Sequence, residues 1–162
     1  RLFDLYCGYG IFSHSLAEHY LDLIGVDYDE ATIQSAIENS HYGEHLKKMK
    51  FHAQRIMPDS LSSIFPEEAE MGEVFILDPP RIGTEEGVLE TIASRHPSKI
   101  LHIFCKVDHV PQALEEWARF GYQVSRIVPL DMFPGSPNLE VMILLTPQSL
   151  QDEGTTRESI SI

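Results

Sequence analysis

Cysteine and long apolar runs are scarce in this sequence, and each absence excludes a class of protein. Two cysteines, Cys7 and Cys105, occur among 162 residues, too few for a disulfide framework. A reducing, cytoplasmic setting is therefore expected. No apolar run is long enough to span a bilayer, and no charged-then-apolar leader opens the chain. The sequence thus predicts neither a membrane protein nor a disulfide-rich secreted one.

Basic residues are also few. The chain has 12 Lys and Arg against 25 Asp and Glu, a formal net charge of −13. Such a domain is a poor general binder of phosphate backbones. It begins without Met inside a strand-like run, "RLFDLYCG", which suggests a fragment of a longer protein. If the protein acts on nucleic acid, much of the affinity is expected to come from a missing upstream region.

Apolar runs alternate with segments of helical period along the chain. The first five strands are expected at "LFDLYC", "LDLIGVDY", "MKFHAQ", "EVFILDPP" and "KILHIFC". "YQVSRIVPLD" and "LEVMILLTP" are expected to finish the sheet as an antiparallel pair. Helices are expected over 12–20, 29–40, 60–65, 85–94 and 110–121. Asp29 is the expected N-cap of the second helix, and Gly121 is the expected C-cap of the last one. Leu114, Trp117 and Phe120 are expected to form the core face of that last helix.

Strands that alternate with helices predict parallel βαβ units with right-handed crossovers, and hence an α/β fold. One domain is expected over 1–148, with a flexible tail over 149–162 that has few apolar residues. In such sheets, ligands bind beyond the carboxyl ends of the strands. Polar and reactive residues gather at those ends, namely "CGYG", Asp27, "DPPR" and Cys105.

A cofactor site is predicted at the first two strand ends. Gly8 and Gly10 allow close approach of the backbone to a ligand at a helix N-terminus, although an ordinary tight turn would use the same residues. Asp27 follows about 20 residues later, where a carboxylate can bind ribose hydroxyls or merely cap the next helix. Glycines plus an acid fit either a nicotinamide cofactor or S-adenosylmethionine. The missing third glycine favours S-adenosylmethionine.

Four motifs occur in an order that resembles a known family. "DLYCGYGIFS", "ILDPPRIG", the cysteine after the fifth strand and "DMFPGSPNLEVMILL" together resemble the RNA 5-methyluridine methyltransferases, which methylate C5 of uracil in tRNA and ribosomal RNA. The resemblance extends to about Pro147 and covers only the family's catalytic domain. It implies a Rossmann-like class I methyltransferase fold with a mostly parallel seven-stranded sheet and helices on both faces. It also implies S-adenosylmethionine as cofactor and RNA as partner, without metal or membrane.

The resemblance implies roles for three side chains. Cys105 matches the nucleophile that adds to C6 of uracil, whereas a lone cysteine is more often buried and inert. Glu140 matches the carboxylate that removes the C5 proton, and the alternative is a solvent-facing residue at the start of a strand. Asp78 of "DPPR" is implied to lie between cofactor and uracil. Its two following prolines stiffen the loop that aims it.

Three further residues have weaker assignments. Tyr6 occupies a position where the family contacts the cofactor, but it could equally be a core residue. Arg81 could contact a phosphate or form a local salt bridge. "DPPR" lacks the aromatic ring of the "(D/N)PP(Y/F)" motif, which argues against methylation of exocyclic amines. Cys7 is expected to pack, because the family has a cysteine there without catalytic use.

The sequence also departs from the family pattern. Asn-Pro commonly follows the nucleophile, but Lys106 and Val107 stand here; Lys106 either lowers the pKa of the Cys105 thiol by proximity or is simply solvated. The remaining departures are Ile11 for a polar residue, Gln54 and Arg55 for an acid after the third strand, and Asn138 for a histidine. These changes leave open a related methyltransferase for another base or position, and a catalytically silent domain that binds cofactor or RNA.

Two other readings are weaker. A nicotinamide oxidoreductase remains the least favoured alternative, because the dinucleotide fingerprint is incomplete. His41 and His45 have a helical spacing, but Gly43 lies between them and no third ligand is evident, so no metal site is predicted.

Overall fold

The structure is a computed structural model that describes residues 1–42, 48–132, 134–135 and 139–148. Its strands are β1 (Leu2–Leu5), β2 (Leu23–Asp27), β3 (Met49–Ala53), β4 (Val74–Leu77), β5 (Lys99–Phe104), β6 (Tyr122–Leu130) and β7 (Glu140–Pro147). Its helices are α1 (Ile11–Leu16), α2 (Glu30–Ser40), α3 (Pro58–Ile64), α4 (Val88–Ala93) and α5 (Val110–Arg119).

The seven strands form one sheet in the order β3-β2-β1-β4-β5-β7-β6. The first five strands pair in parallel, whereas β7 is antiparallel to both β5 and β6. The predicted mostly parallel sheet with a final antiparallel pair is therefore confirmed. Because β1 lies at the centre beside β4, the ends of β1, β2, β4 and β5 meet at one edge.

Side-chain alternation divides the core between the two faces of the sheet. The larger cluster joins Phe3, Phe75 and Ile100 to residues of α3, α4 and α5. The smaller cluster joins Leu2, Ile76 and Ile103, with Phe12 and Leu16 of α1 packed against it. The predicted apolar face of α5 lies in the larger cluster, where Trp117 is fully buried and Leu114 and Phe120 are partly buried.

Gly25 of β2 packs against an aromatic ring that leaves no room for a side chain. A Cβ added at Gly25 would lie 2.5 Å from the ring of Phe51 in β3 and 3.1 Å from the sulfur of Cys7. Because real Cβ atoms do not approach so closely, a side chain at this position would push the Phe51 ring away. The predicted packing role of Cys7 agrees with this contact and with its burial.

Element ends differ from the predictions in three places. The helix expected over 12–20 is α1 followed by a 3-10 turn over Ala17–His19. Helix α4 begins at Val88 after Gly87, which has a left-handed backbone, rather than at residue 85. Phe120 is the C-cap of α5, and Gly121 is the next residue, with φ +82°.

The N-cap of α2 is Asp29, as predicted, because its side chain accepts a hydrogen bond from the backbone N–H of Thr32. The predicted tail over 149–162 lies outside the described residues. Within the described parts of the chain, no helix has the length and apolar character needed to cross a membrane.

The amino-terminal edge of the sheet carries a buried ion network. Glu73 precedes β4 and is fully buried. Its Oε1 accepts hydrogen bonds from Arg1 at 3.1 Å and from Arg95 at 2.6 Å. Burial by itself would raise the pKa of Glu73, but the Arg95 and Arg1 guanidiniums and the backbone N–H of Glu70 lower it overall. The network fixes the start of β4 to Arg95, which follows α4, and to Arg1.

Candidate active site

The glycine loop between β1 and α1 is held by Asp27 at the end of β2. Oδ2 of Asp27 accepts from the backbone N–H of Gly8 at 2.9 Å, and Oδ1 accepts from that of Asp29 at 3.1 Å. Asp27 is 8% exposed. The alternative in which Asp27 merely caps α2 does not hold, since Asp29 is the cap. Asp27 thus joins two loops, and it also lines the cleft described below.

Gly10 shows why the loop needs glycine. It precedes α1 with φ +76°, and an added Cβ would lie 3.1 Å from the Phe51 ring and 3.2 Å from the His14 ring. A side chain would therefore meet both backbone strain and crowding. The predicted cofactor loop is a tight turn packed on β3, and neither Gly8 nor Gly10 lines the large cleft described below.

Asp4 also supports this loop, and sequence reasoning missed it. It is fully buried within β1, and its Oδ2 accepts from both the backbone N–H and the hydroxyl of Ser13, at 2.9 and 2.6 Å. Burial raises the pKa of Asp4 to about 6, against the opposing effect of the Ser13 hydrogen bonds. An acid inside the apolar run "LFDLYC" was the available signal, because buried carboxylates need partners.

A cleft of about 820 Å³ opens at this edge of the sheet. Three predicted site residues, Tyr6, Asp27 and Asp78, line it together with the loop after β3 and the loop after β4. Its volume lies within the range of small-molecule sites. The structure therefore brings part of the predicted cofactor set into a single cleft.

The residues in this cleft suit a polar cofactor. Tyr6 has φ +64° and packs against the larger core, and its buried hydroxyl has no hydrogen-bond partner among the described residues. Burial, and secondarily Glu85, raise the pKa of Tyr6 to about 12, so the phenol stays protonated and can donate. Arg55 and Glu85 form an ion pair between the two loops that line the cleft. The sequence analysis noted Arg55 only because it stands where the family commonly has an acid after the third strand.

The predicted catalytic residues lie at one edge of the sheet. Asp78 directly follows β4, Cys105 directly follows β5, and Glu140 begins β7. These three strands are neighbours in the sheet. Phe104 pairs with Val141, so the start of the antiparallel strand β7 meets the end of β5 at this edge.

Cys105 is half-buried and close to Asp78. Its sulfur lies 4.0 Å from Oδ1 of Asp78 and 3.9 Å from the carbonyl oxygen of Pro79. Burial raises the pKa of the Cys105 thiol, as do the carboxylates of Asp78 and Glu140, while Arg81 lowers it. The thiolate is therefore the minor form at neutral pH.

Asp78 has an unusual charge environment. Burial raises its pKa to about 6, and Glu140 contributes to the rise through like-charge repulsion. Glu140 is half-buried at the start of β7. The charge of Glu140 thus acts on both Asp78 and Cys105, and that of Asp78 acts on Cys105.

The cation beside the thiol is Arg81 rather than Lys106. Lys106 is exposed and pairs with Asp108 at 3.9 Å, which agrees with the solvated alternative. Arg81 lines a second cavity together with Cys105. Burial raises the pKa of the other cysteine, Cys7, which disfavours its nucleophilic thiolate form. Asn138 lies outside the described residues.

Among the described residues, no group of three histidine, cysteine or carboxylate side chains could hold a metal ion. His41 is described and His45 lies outside the described residues.

The fold of this chain is similar to that of solved methyltransferases. The tRNA (uracil-54, C5)-methyltransferase of Pyrococcus abyssi, solved with S-adenosyl-L-homocysteine, superposes with a TM-score of 0.70 at 24% identity over 90% of this chain and 34% of that one. Magnesium protoporphyrin IX methyltransferase from Synechocystis, with bound S-adenosylmethionine, gives 0.69 at 13% identity over 91% and 69%. At these identities the likeness concerns the fold alone.

Sequence comparison specifies the family. The model of the tRNA (uracil-5-)-methyltransferase family matches residues 1–148, so the chain belongs to that family. An uncharacterised RNA methyltransferase of Thermosynechococcus vestitus is 33% identical over 90% of this chain and 31% of its own length. The 23S rRNA (uracil(1939)-C(5))-methyltransferase RlmD of Marinomonas is 32% identical over 89% and 32%. The chain therefore spans about a third of the curated relatives that it matches.

Proposed function

We propose that this chain is the catalytic domain of an enzyme that transfers a methyl group from S-adenosylmethionine to C5 of uridine in tRNA or ribosomal RNA. The observation that carries the proposal is the grouping of Asp78, Cys105 and Glu140 at one edge of the sheet, with the sulfur of Cys105 4.0 Å from Oδ1 of Asp78. Membership of the family supports the same reaction. As an RNA-modifying enzyme with two free thiols, it would work in the reducing cytoplasm.

The 820 Å³ cleft is the proposed cofactor site. Asp27 would bind the ribose hydroxyls, and the Tyr6 hydroxyl would donate to a polar group of the cofactor. Gly8 and Gly10 would act mainly by shaping the loop that Asp27 holds. When bound, S-adenosylmethionine supplies an electrophilic methyl group.

The three side chains would divide the chemistry of an otherwise unreactive carbon. The Cys105 thiolate forms a bond to C6 of uracil, and the electron pair of the C5–C6 double bond becomes available at C5 for the methyl group. Glu140 then removes the proton from C5. The C–H electron pair re-forms the double bond as the C6–S bond breaks and the thiolate leaves. Asp78 orients uracil and cofactor between them.

The RNA would be bound mainly by parts of the protein beyond this chain. The net charge of −13 opposes binding to a phosphate backbone. We therefore expect this chain alone to methylate RNA poorly. The target uridine must leave its stack or loop to reach Cys105, and Arg81 beside the thiol could contact one of its phosphates.

Two measurements test the proposal. Calorimetry on this chain is expected to show binding of S-adenosylmethionine and none of a nicotinamide cofactor; the reverse selectivity would contradict the proposed cofactor. The full-length protein is expected to convert uridine to 5-methyluridine in RNA, as identified by mass spectrometry of the nucleosides. A different methylated nucleoside would point to another base or position, and no product with intact cofactor binding would indicate a silent domain.

A further inference from the structure

Ile82 is a large apolar residue exposed at the candidate active site. It belongs to the loop 79–84 and lines both the proposed cofactor cleft and a second cavity, of about 210 Å³, beside Cys105. The other large apolar residues of this cavity are at most 5% exposed, namely Leu89, Ile103 and Phe104. Ile82 is 81% exposed. Packing within the described part of the domain therefore does not account for an isoleucine at this position.

The backbone that carries Ile82 is a constrained turn. The backbone N–H of Gly83 donates to the carbonyl oxygen of Pro80 at 2.8 Å, and Gly83 has φ +85°, which glycine adopts without strain. Pro79 and Pro80 have fixed φ angles. The carbonyl oxygen of Pro79 lies 3.9 Å from the sulfur of Cys105. The turn therefore presents Ile82 from a backbone with little freedom, close to the thiol.

The position of Ile82, rather than its exposure alone, gives the side chain a use. Single exposed apolar residues are common on protein surfaces. In the proposed function, however, the target uracil occupies the space beside Cys105 while the methyl donor lies in the cleft. Because Ile82 lines both spaces and is mostly open to solvent, it stands where the RNA strand enters.

The proposed reaction leaves a gap in the RNA at this place. The target uridine must leave its stack before C6 can meet the thiolate, and the neighbouring bases then lose a stacking partner. Proteins that open nucleic acids insert apolar side chains, isoleucine among them, between such bases. Arg81, which precedes Ile82, is also exposed, so a cation for the phosphate backbone lies next to the apolar side chain. This pair suits RNA better than a purely apolar partner.

We propose that Ile82 is a wedge that enters the RNA stack when the target uridine leaves it, and so holds the strand open while the uracil is at Cys105. The proposal rests on the proposed function, because it takes RNA as the substrate. Ile82 contacts the bases beside the target, and neither the cofactor nor the reacting uracil depends on it.

A fluorescence measurement tests the wedge without relying on activity. The full-length protein, saturated with S-adenosylhomocysteine, is titrated into a panel of short RNA hairpins, each with a single loop uridine followed by 2-aminopurine. This base fluoresces weakly when stacked and more strongly when its neighbour leaves. We expect at least one hairpin to show a saturable rise. Ile82→Ala should give a rise at least about twofold smaller, because the uridine returns to the unfilled gap.

Matched variants connect the wedge to methyl transfer. Single-turnover methylation of the responding hairpin should fall about ten- to hundredfold in Ile82→Ala, the equivalent of one apolar side chain of this size. Ile82→Met keeps a long apolar side chain and should stay within about threefold of the wild type. Ile127→Ala removes the same side chain from a position on β6 that is 54% exposed, and should leave the rate unchanged.

A pre-opened substrate separates the wedge from other roles of Ile82. When the nucleotides on both sides of the uridine lack their bases, no stack has to be opened, and Ile82→Ala should methylate within about threefold of the wild type. An undiminished loss on this RNA would place Ile82 on the target uracil and overturn the wedge. A tenfold weaker binding of S-adenosylmethionine to Ile82→Ala in calorimetry would place it on the cofactor, with the same consequence.

The fluorescence result also separates the wedge from the proposed function. A rise that is the same in Ile82→Ala, or no rise in a protein that methylates RNA, would overturn the wedge alone. A rise that depends on Ile82 in a protein that methylates no RNA would support the wedge and contradict the proposed function. The absence of both a rise and methylation would overturn both.

Discussion

Two carboxylates flank strand β4, and they have opposite environments. Glu73, just before the strand, is fully buried and bonded to Arg1 and Arg95, which with the Glu70 N–H lower its pKa. Asp78, just after the strand, has its pKa raised to about 6 by burial and by the nearby Glu140. The charge of Glu73 is compensated by two arginines and that of Asp78 is not, although only the four residues of β4 separate the two acids.

The difference separates an edge of the sheet that stabilises the fold from the edge that carries the proposed active site. A buried carboxylate with cationic partners stabilises the native state when ionised, whereas one beside another carboxylate costs stability when ionised. Uncompensated acids of this kind cluster at functional sites. Four sets of measurements on variants test the contrast in order of decreasing effect, and a trapping experiment follows them.

Asp78→Asn should separate activity from stability. We expect methyl transfer by the full-length protein to fall at least about 100-fold, because the group that orients the site loses its charge. The pKa of Asp78 is higher in the folded state, so ionisation between pH 4 and 6 destabilises the fold. The variant should therefore be no less stable than the wild type at pH 7, as measured by denaturant unfolding. A large loss of stability would contradict the assignment.

Glu73→Gln should lower stability and leave activity unchanged, the reverse of Asp78→Asn. Removal of this charge leaves the nearly buried guanidinium of Arg95 without its carboxylate partner and takes one of three carboxylate partners from Arg1. We expect the free energy of unfolding to fall by about 3–5 kcal/mol. Activity per folded molecule should be kept. Glu70→Gln is the control, because Glu70 is the exposed partner of Arg1 and its loss should cost about 1 kcal/mol or less. Similar losses in both variants would mean that burial at Glu73 does not matter.

Asp27→Ala should weaken binding of S-adenosylmethionine about tenfold or more, because the glycine loop and the proposed ribose contact both depend on its carboxylate. Asp29→Ala is a matched control, since Asp29 also accepts from a backbone N–H. It should cost about 1 kcal/mol of stability as a lost N-cap and leave cofactor affinity unchanged in calorimetry.

The thiol of Cys105 should respond to its carboxylate neighbours. Its pKa is raised by burial, Asp78 and Glu140, so alkylation of the wild type should accelerate as the pH rises above neutrality. Asp78→Asn should lower the midpoint of this profile and speed alkylation at pH 8 by about three- to tenfold. Glu140→Gln should act in the same direction. Cys105→Ser shows how much labelling comes from Cys7.

Much of the fold could be predicted from sequence, because the periods of strands and helices are local properties. The position of β7 between β5 and β6 depends on pairing between distant segments, and no local pattern specifies it. The same local pattern placed Asp78 and Cys105 at strand ends, whereas their roles were predicted from the family resemblance. Whether they are in fact catalytic stays a prediction.

Contacts between distant segments account for what sequence reasoning missed. Asp4 with Ser13, and His102 with Trp117, were visible only as single polar residues inside apolar strands. Their partners lie on helices whose packing is not specified by period. The Glu73 network likewise joins residues from three parts of the chain. A lone polar residue within a strand-like run is the signal that could have found the first two.

The most direct test of the central claim is covalent trapping of Cys105. The full-length protein is incubated with S-adenosylmethionine and RNA that contains 5-fluorouridine, whose fluorine at C5 prevents the final proton removal. Peptide mass spectrometry is expected to find methylated 5-fluorouridine bound to Cys105, and no adduct in Cys105→Ala. Formation of 5-methyluridine in normal RNA by the Cys105→Ala variant, or an adduct at Cys7, would contradict the account.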